Sequence, residues 1–320
     1  MKQQEHRGGI DRRSFLQGIA VGSAAPLAAL AAAQGGKSRV AVAKRAELTG
    51  GRTVDRDTIK EALGAIVKKL SGKGNVDEAW RSFVSPKETV AIKFNGLFPR
   101  ASTHPHLVWA ICRGLVDAGM PAEKIIVFDR KVSDFKTARI KTFSDMAKIR
   151  FAGSDSGWGP EVKAGPFKTR ITRILTDDAD AVISVPILKH HVVAGVSLAM
   201  KNHIGSVPNP RDYHKGIDAI AELNALPPIA KKTRLAICDA MVGMFDKGPQ
   251  FRGAHCCWNA NSLLASTDPV ALDAVGAEMI RKARAAHKAG PIRPAPSHIA
   301  HAAEIGLGTA DLEKIEIVDV

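Results

Sequence analysis

Lysine and histidine crowd into one short stretch of this chain, residues 185–214, which reads VPILKHHVVAGVSLAMKNHIGSVPNPRDYH. It contains two cations, Lys189 and Lys201, and four imidazoles, His190, His191, His203 and His214, set among apolar runs and Gly/Pro turns. A buried strand that ends in Lys-His-His or Lys-Asn-His turns that polar end toward a cleft, because desolvating such groups without partners is costly. Ammonium groups hold a carboxylate or phosphate as point charges, and a buried lysine with a lowered pKa becomes a nucleophile or base. Imidazoles move protons near neutral pH or ligate a metal. Lys189, Lys201 and His191 are therefore the expected catalytic set, and His191, His203 and His214 the expected metal ligands. Pairing of either lysine with Asp129 or Asp239 is the competing structural role.

Five further residues are expected at the same cleft as ligand-binding groups: Lys93, Asn95, His104, Asn202 and Asp239. Asn95 and Asn202 add donors suited to an oxyanion. Asp239 could orient a histidine or bind a metal, while Asp268 before Pro269 reads as a helix cap and Asp273 as internal structure. The reason for grouping them is the pattern of elements that carries them. Apolar runs at residues 40–43, 89–94, 124–129, 181–185, 234–239, 262–266 and 314–318 read as strands, and residues 192–199 look like a further buried one. Helical periodicity marks residues 56–70, 106–118, 216–226 and 270–284, with a helical stretch around 133–148 and a Gly-rich loop at 153–159. Strands alternating with helices predict an α/β fold with a mostly parallel central sheet flanked by helices, with room for a smaller inserted lobe. In such sheets ligands collect beyond the carboxyl ends of the strands, where Lys93, Asn95, Lys189, Lys201 and Asp239 are expected.

The composition is that of a globular chain: 45% hydrophobic and 24% charged residues over 320 positions, long enough to bury a core without staples. A formal charge of +14 favours anionic partners. Nucleic acid is not the expected one, because the cations are spread along the chain and a single Tyr leaves few stacking platforms. A basic nucleic-acid or surface-binding protein is the second alternative reading. The four cysteines, Cys112, Cys238, Cys256 and Cys257, contain no C-x-x-C pair, which disfavours a four-cysteine iron–sulfur cluster or structural zinc.

Residues 1–33 read as an address. The pair Arg12-Arg13 precedes Ser14-Phe15-Leu16 and an Ala/Gly-rich run ending Ala31-Ala32-Ala33, the layout of a twin-arginine signal peptide. Its expected partner is the twin-arginine translocase, its destination the periplasm or beyond. No stable membrane span is expected after cleavage, since Gly, Ser and Pro interrupt the run. Residues 34–87 then form the N-terminal part of the α/β unit, and export in the folded state favours a transition metal or other cofactor inserted beforehand.

Several ordered segments resemble the domain-of-unknown-function 362 family: VAIKFN at 90–95, THP at 103–105, VPILKHH at 185–191, LAMKNHIG at 198–205, Tyr213-His214, ICDAMVGM at 237–244, Gly248-Pro249 and STDPVALD at 266–273. The resemblance implies a domain over residues 88–320. The family's usual Lys-Thr-His reads Lys189-His190-His191 here, and the ferredoxin-type cysteine module of many relatives is missing. A fainter likeness at the level of fold to the lactate racemase group implies a metal-containing cofactor seated on Lys and His. The function expected is an exported enzyme that binds a small anionic ligand in a Lys/His/Asn cleft, with a non-catalytic periplasmic metal or anion carrier as the alternative.

Overall fold

Proline has no backbone N–H to give to a neighbouring strand, and Pro186 divides what would be one long strand into two. The computed structural model describes residues 37–49, 54–141 and 144–320, so the twin-arginine stretch lies outside the described residues. Its strands are β1 (Ser38–Lys44), β2 (Val90–Phe94), β3 (Ile125–Asp129), β4 (Arg150–Gly153), β5 (Trp158–Ala164), β6 (Phe167–Thr172), β7 (Ala181–Val185), β8 (Ile187–His191), β9 (Gly195–Val196), β10 (Thr233–Met244), β11 (Cys257–Ser266) and β12 (Ile315–Asp319). The helices are α1 (Arg56–Ser71), α2 (Val76–Phe83), α3 (Pro105–Asp117), α4 (Ser133–Thr137), α5 (Ala199–Asn202), α6 (Ala219–Ala225), α7 (Pro227–Ala230), α8 (Pro269–Ala286) and α9 (Ser297–Glu304).

The main sheet runs in the order β12-β1-β11-β10-β7-β2-β3-β4. Every pair from β10 to β4 is parallel, and only β11 along this path runs against its neighbours. The expected α/β class with a mostly parallel sheet is the one the chain adopts. An antiparallel pair, β5 and β6, forms a separate two-stranded sheet inserted between β4 and β7.

Strand alternation sorts the core into two layers. Val90, Ile92 and Phe94 of β2 face α1, α2 and α3, where Leu63, Ile66, Trp80 and Leu107 are fully buried. Ala91 and Phe128 face the other side, with Leu198, Leu223, Leu272 and Ile299. Each large aliphatic side chain so buried contributes about 1.5–3 kcal/mol. Lys93, between Ile92 and Phe94, falls by the same alternation on the second face.

Several elements differ from their expected extents. β10 does not stop at Asp239: its first half pairs with β7, its second half with β8, and it runs to Met244. β11 lengthens with it, from the expected 262–266 to 257–266, because a strand continues as far as a partner is there to bond. Lys189, His190 and His191 thus lie on β8, beside β10, and not in a loop after β7. Residues 192–199 are no buried strand: Val192 and Val193 are exposed at a turn, and only Gly195–Val196 pair with β8. Among the described residues around 133–148 only Ser133–Thr137 is α-helical. The Gly-rich loop at 153–159 contains the end of β4, a single 3₁₀ turn and the start of β5.

Helix starts follow their local chemistry. Asp268 caps α8 through Val270 and Ala271 N–H at 2.9 and 3.0 Å, and its other oxygen accepts from Ser38 Oγ at 2.7 Å and Thr309 N–H at 2.9 Å. One carboxylate therefore ties α8 to β1 and to the segment before β12. Asp268→Ala should cost about 2–4 kcal/mol, a lost cap plus newly unpaired buried donors. Urea unfolding checks this as a lower midpoint at an unchanged slope.

Candidate functional site

The carboxyl ends of β2 and β3 meet through a buried ion pair. Lys93 Nζ, on β2, donates to Asp129 Oδ1, on β3, and also to Phe94 O at 2.7 Å. Asp129 Oδ2 accepts the Gly96 N–H at 2.5 Å, which fixes the start of the loop after β2. Asn202, the last residue of α5, donates to Lys93 O at 2.8 Å and Ser184 Oγ at 3.2 Å, while its carbonyl oxygen lies 3.4 Å from both Lys93 Nζ and Asn95 Nδ2. A side chain on Gly205 would come within 3.1 Å of Lys93 Nζ, a tight approach to the ion pair. Charge here is compensated within the chain. Lys93 and Asn202 are accordingly parts of the frame, and Asn95 is the group that hands the frame on.

Asn95 Oδ1 accepts from Lys189 Nζ at 2.9 Å, and Lys189 also donates to Ala101 O at 2.7 Å. Both acceptors are neutral. Lys189 is buried on β8 with its ammonium 5.8 Å from the Phe98 ring centroid, and desolvation, opposed by Asp129, lowers its pKa to about 7. Lys201, on α5, is buried too and meets His214 Nε2 at 3.0 Å. Its pKa falls to about 7 through desolvation and then through Lys189. Among the described residues neither Lys189 nor Lys201 forms an ion pair, so the expected alternative of pairing with Asp129 or Asp239 is not what they do.

His191 faces this group by strand alternation, whereas His190 is turned away toward Arg284 and Asp246. The His191 Nδ1 accepts two backbone N–H groups, from Val193 at 3.1 Å and Ala194 at 3.2 Å. An Nδ1 so used carries no proton, which leaves Nε2 as an N–H donor. Burial, then Lys201 and His214, hold its pKa down to about 2, so it stays neutral. The His214 ring, half-buried, stands 5.1 Å from it, its pKa lowered to about 4 by burial and Lys201.

The expected metal ligands do not assemble. Among the described residues no group of three or more His, Cys, Asp or Glu is placed to hold a metal ion. His191 presents a proton on Nε2 because the backbone occupies Nδ1. His203 lies enclosed near Lys93, its pKa lowered to about 3 by burial and that ammonium. The donor set consequently does not fit a metal ion held by these three histidines.

Two further expected residues serve the frame. His104 caps α3, its Nδ1 accepting from His106 N–H at 3.2 Å, and its own N–H donates to Asp239 Oδ2 at 2.8 Å. Asp239 also accepts from Met241 N–H at 3.2 Å; it sits within β10, where burial raises its pKa to about 6. It holds backbone and orients no histidine ring.

Sequence reasoning passed over three contributors. Thr103 links the loop to β7, donating from Oγ1 to Val185 O at 2.8 Å and accepting from Asn95 N–H at 3.0 Å. Asp273, read only as internal structure, accepts Ala199 N–H at 2.6 Å and Met200 N–H at 3.0 Å and so holds the turn that carries Lys201. His298, on α9, is fully buried and has Lys201 as a charged neighbour. A lone histidine more than eighty residues from the cluster offered no signal.

The family model described as Domain of unknown function (DUF362) matches residues 90–278. No curated protein matches the chain. Among solved structures, a protein from Thermotoga maritima is similar at 13% identity and a TM-score of 0.38, covering 61% of this chain and 52% of that one. The lactate racemase apoprotein from Thermoanaerobacterium thermosaccharolyticum is similar at 13% identity and a TM-score of 0.42, covering 77% of this chain and 57% of that one. This chain thus spans little more than half the length of either.

The two kinds of buried lysine differ in what their removal should do. Lys93→Met leaves Asp129 buried and unpaired and should cost about 3–5 kcal/mol. Lys189 and Lys201 have folded-state pKa values below that of an unfolded lysine, so their charge opposes folding fully below pH 7, and the penalty fades as pH rises toward 10. Lys189→Met and Lys201→Met should therefore melt at or above the wild-type temperature at pH 6, with the difference shrinking by pH 9. Thermal melts of the three variants at both pH values check the contrast.

Proposed function

Because the chain belongs to the Domain of unknown function (DUF362) family, whose description names a domain and no reaction, we propose from its geometry that the Lys/His cleft binds a small oxyanion and moves a proton on it. The observation that carries this reading is the burial of two lysine side chains that form no ion pair among the described residues, at the carboxyl end of a parallel sheet. An anion between them supplies the missing charge. It also raises both lysine pKa values, so the site binds a proton together with its ligand. The His191 Nε2–H adds a neutral donor.

Proton transfer follows from the second lysine. A pKa of about 7 puts Lys201 near its titration point in the ligand-free site at neutral pH, and the anion shifts it toward the protonated form, the acid in a general acid–base exchange. His214, 3.0 Å away and half-buried, links that proton to solvent. Lys189 holds charge, Lys201 exchanges the proton, and His191 orients the ligand. The Arg12-Arg13 stretch supports export of this chemistry through the twin-arginine translocase to the periplasm.

Calorimetric titration with acetate and inorganic phosphate between pH 6 and 9 tests the binding half of the reading. Affinity should be highest below pH 7 and fall by about tenfold per pH unit above it for each lysine that must be protonated. Lys201→Met should lose at least tenfold at pH 6. Flat affinity across this range, or binding that weakens steeply with salt yet ignores Lys189 and Lys201, would instead favour non-specific attraction to a basic surface. Deuterium exchange into small carboxylic acids, followed by proton NMR, tests the chemical half. Exchange that disappears in Lys201→Met is expected; binding without exchange by any acid tried would make the protein a carrier.

A further inference from the structure

The chain returns to the cleft from beyond the matched family range. Gly195 stands opposite His191 in the β8–β9 register, at a φ of +76°. A side chain there would meet Pro294 O at 2.6 Å and Pro296 N at 2.9 Å, so residues 294–296 rest directly on the hairpin that carries His191. From there the chain enters α9, which two contacts hold against α6 and the residue before it. Ser297 Oγ donates to Asp218 Oδ1 at 2.5 Å, and His301 Nε2 meets Glu222 Oε1 at 2.9 Å.

The side chain carried inward between those two contacts is His298. It has no exposed surface, and neither ring nitrogen has a hydrogen-bond partner. Burial, and next the nearby Lys201 ammonium, lower its pKa to about 4, so the ring is neutral and offers one N–H donor and one acceptor. A buried imidazole ordinarily satisfies at least one nitrogen, because two dry polar atoms disfavour folding. Among the described residues His203 shares this condition, but its neighbour Lys93 already has Asp129 as counter-ion. His298 instead lies within electrostatic reach of Lys201, and of Asp218 on the other side of the balance, and Lys201 forms no ion pair among the described residues.

We propose that His298 is a ligand-contacting residue of the cleft, donating its N–H to one oxygen of a carboxylate or phosphate whose other oxygen is held by Lys201. This rests on the reading of the cleft as an anion site, and it defines the ligand further: a compact oxyanion with two oxygens free to be bound from opposite walls. α9 becomes the roof of the site, and the specificity of the site comes in part from residues outside the range common to the family model.

The test compares wild type with His298→Phe, which keeps the bulk and removes both nitrogens, and His298→Asn, which keeps a donor. Acetate and inorganic phosphate are titrated into each at pH 6.5, and the imidazole nitrogens of the wild type are followed by ¹⁵N NMR at saturating phosphate. Expected are a loss of at least tenfold in His298→Phe, a loss within threefold in His298→Asn, and a shift of the His298 ring resonances on binding. Wild-type affinity in His298→Phe overturns the proposal while leaving the anion site intact. Should His298→Phe fail to fold, His298→Asn and the ring resonances decide: resonances that do not move at saturation overturn it. If wild type binds neither anion, the anion reading of the cleft falls and this inference with it.

Discussion

The ion pair between Lys93 and Asp129 is the contact from which the site is hung. It joins the carboxyl ends of two adjacent parallel strands, and Asp129 then captures the first N–H of the loop after β2. Asn202 closes the arrangement from α5 by bonding Lys93 O and Ser184 Oγ. Burial makes these bonds strong when complete and costly when broken, so the pair fixes positions rather than adding much net stability. Loop, strand ends and α5 are thereby set in one geometry.

Against that neutral frame the charge of Lys189 and Lys201 stands out. The chain gives them carbonyl oxygens, an amide and an imidazole, all of which satisfy hydrogen bonds and none of which cancels a charge. Lys93 shows that this fold can place a carboxylate beside a buried lysine. Lys189 and Lys201, which form no ion pair among the described residues, are kept near their titration point by desolvation, with repulsion from Lys93 adding to it at Lys189 and repulsion from Lys189 adding to it at Lys201. The same energetic cost that opposes folding is what an anion would relieve, which links the stability of the free protein to its affinity for a ligand.

Much of this was legible in the residues themselves. The helices at 56–71, 105–117 and 269–286 announce themselves through apolar periodicity, and the last also through Asp268 at its start, because capping is a local interaction. The cluster of Lys189, His191, Lys201 and His214 was legible from type and spacing, since polar groups on apolar strands need a common destination. What failed were the readings that required knowing a partner. Asp239 looked like a free carboxylate at a strand end, but β8 extends the pairing of β10 past it and its oxygens bind backbone. His191 looked like a metal ligand until the turn at Val193 and Ala194 took its Nδ1.

The sequence by itself determined the α/β class, the places of the three longest helices and the chemical inventory of the Lys/His group, because each shows in residue types and periodicity along the chain. Tertiary structure alone decided which lysine received a carboxylate, which histidine nitrogen stayed free, and that His298 would be buried within reach of the Lys201 charge. Those outcomes depend on distances between segments far apart in sequence, and on a burial that converts ordinary lysines into groups titrating near pH 7.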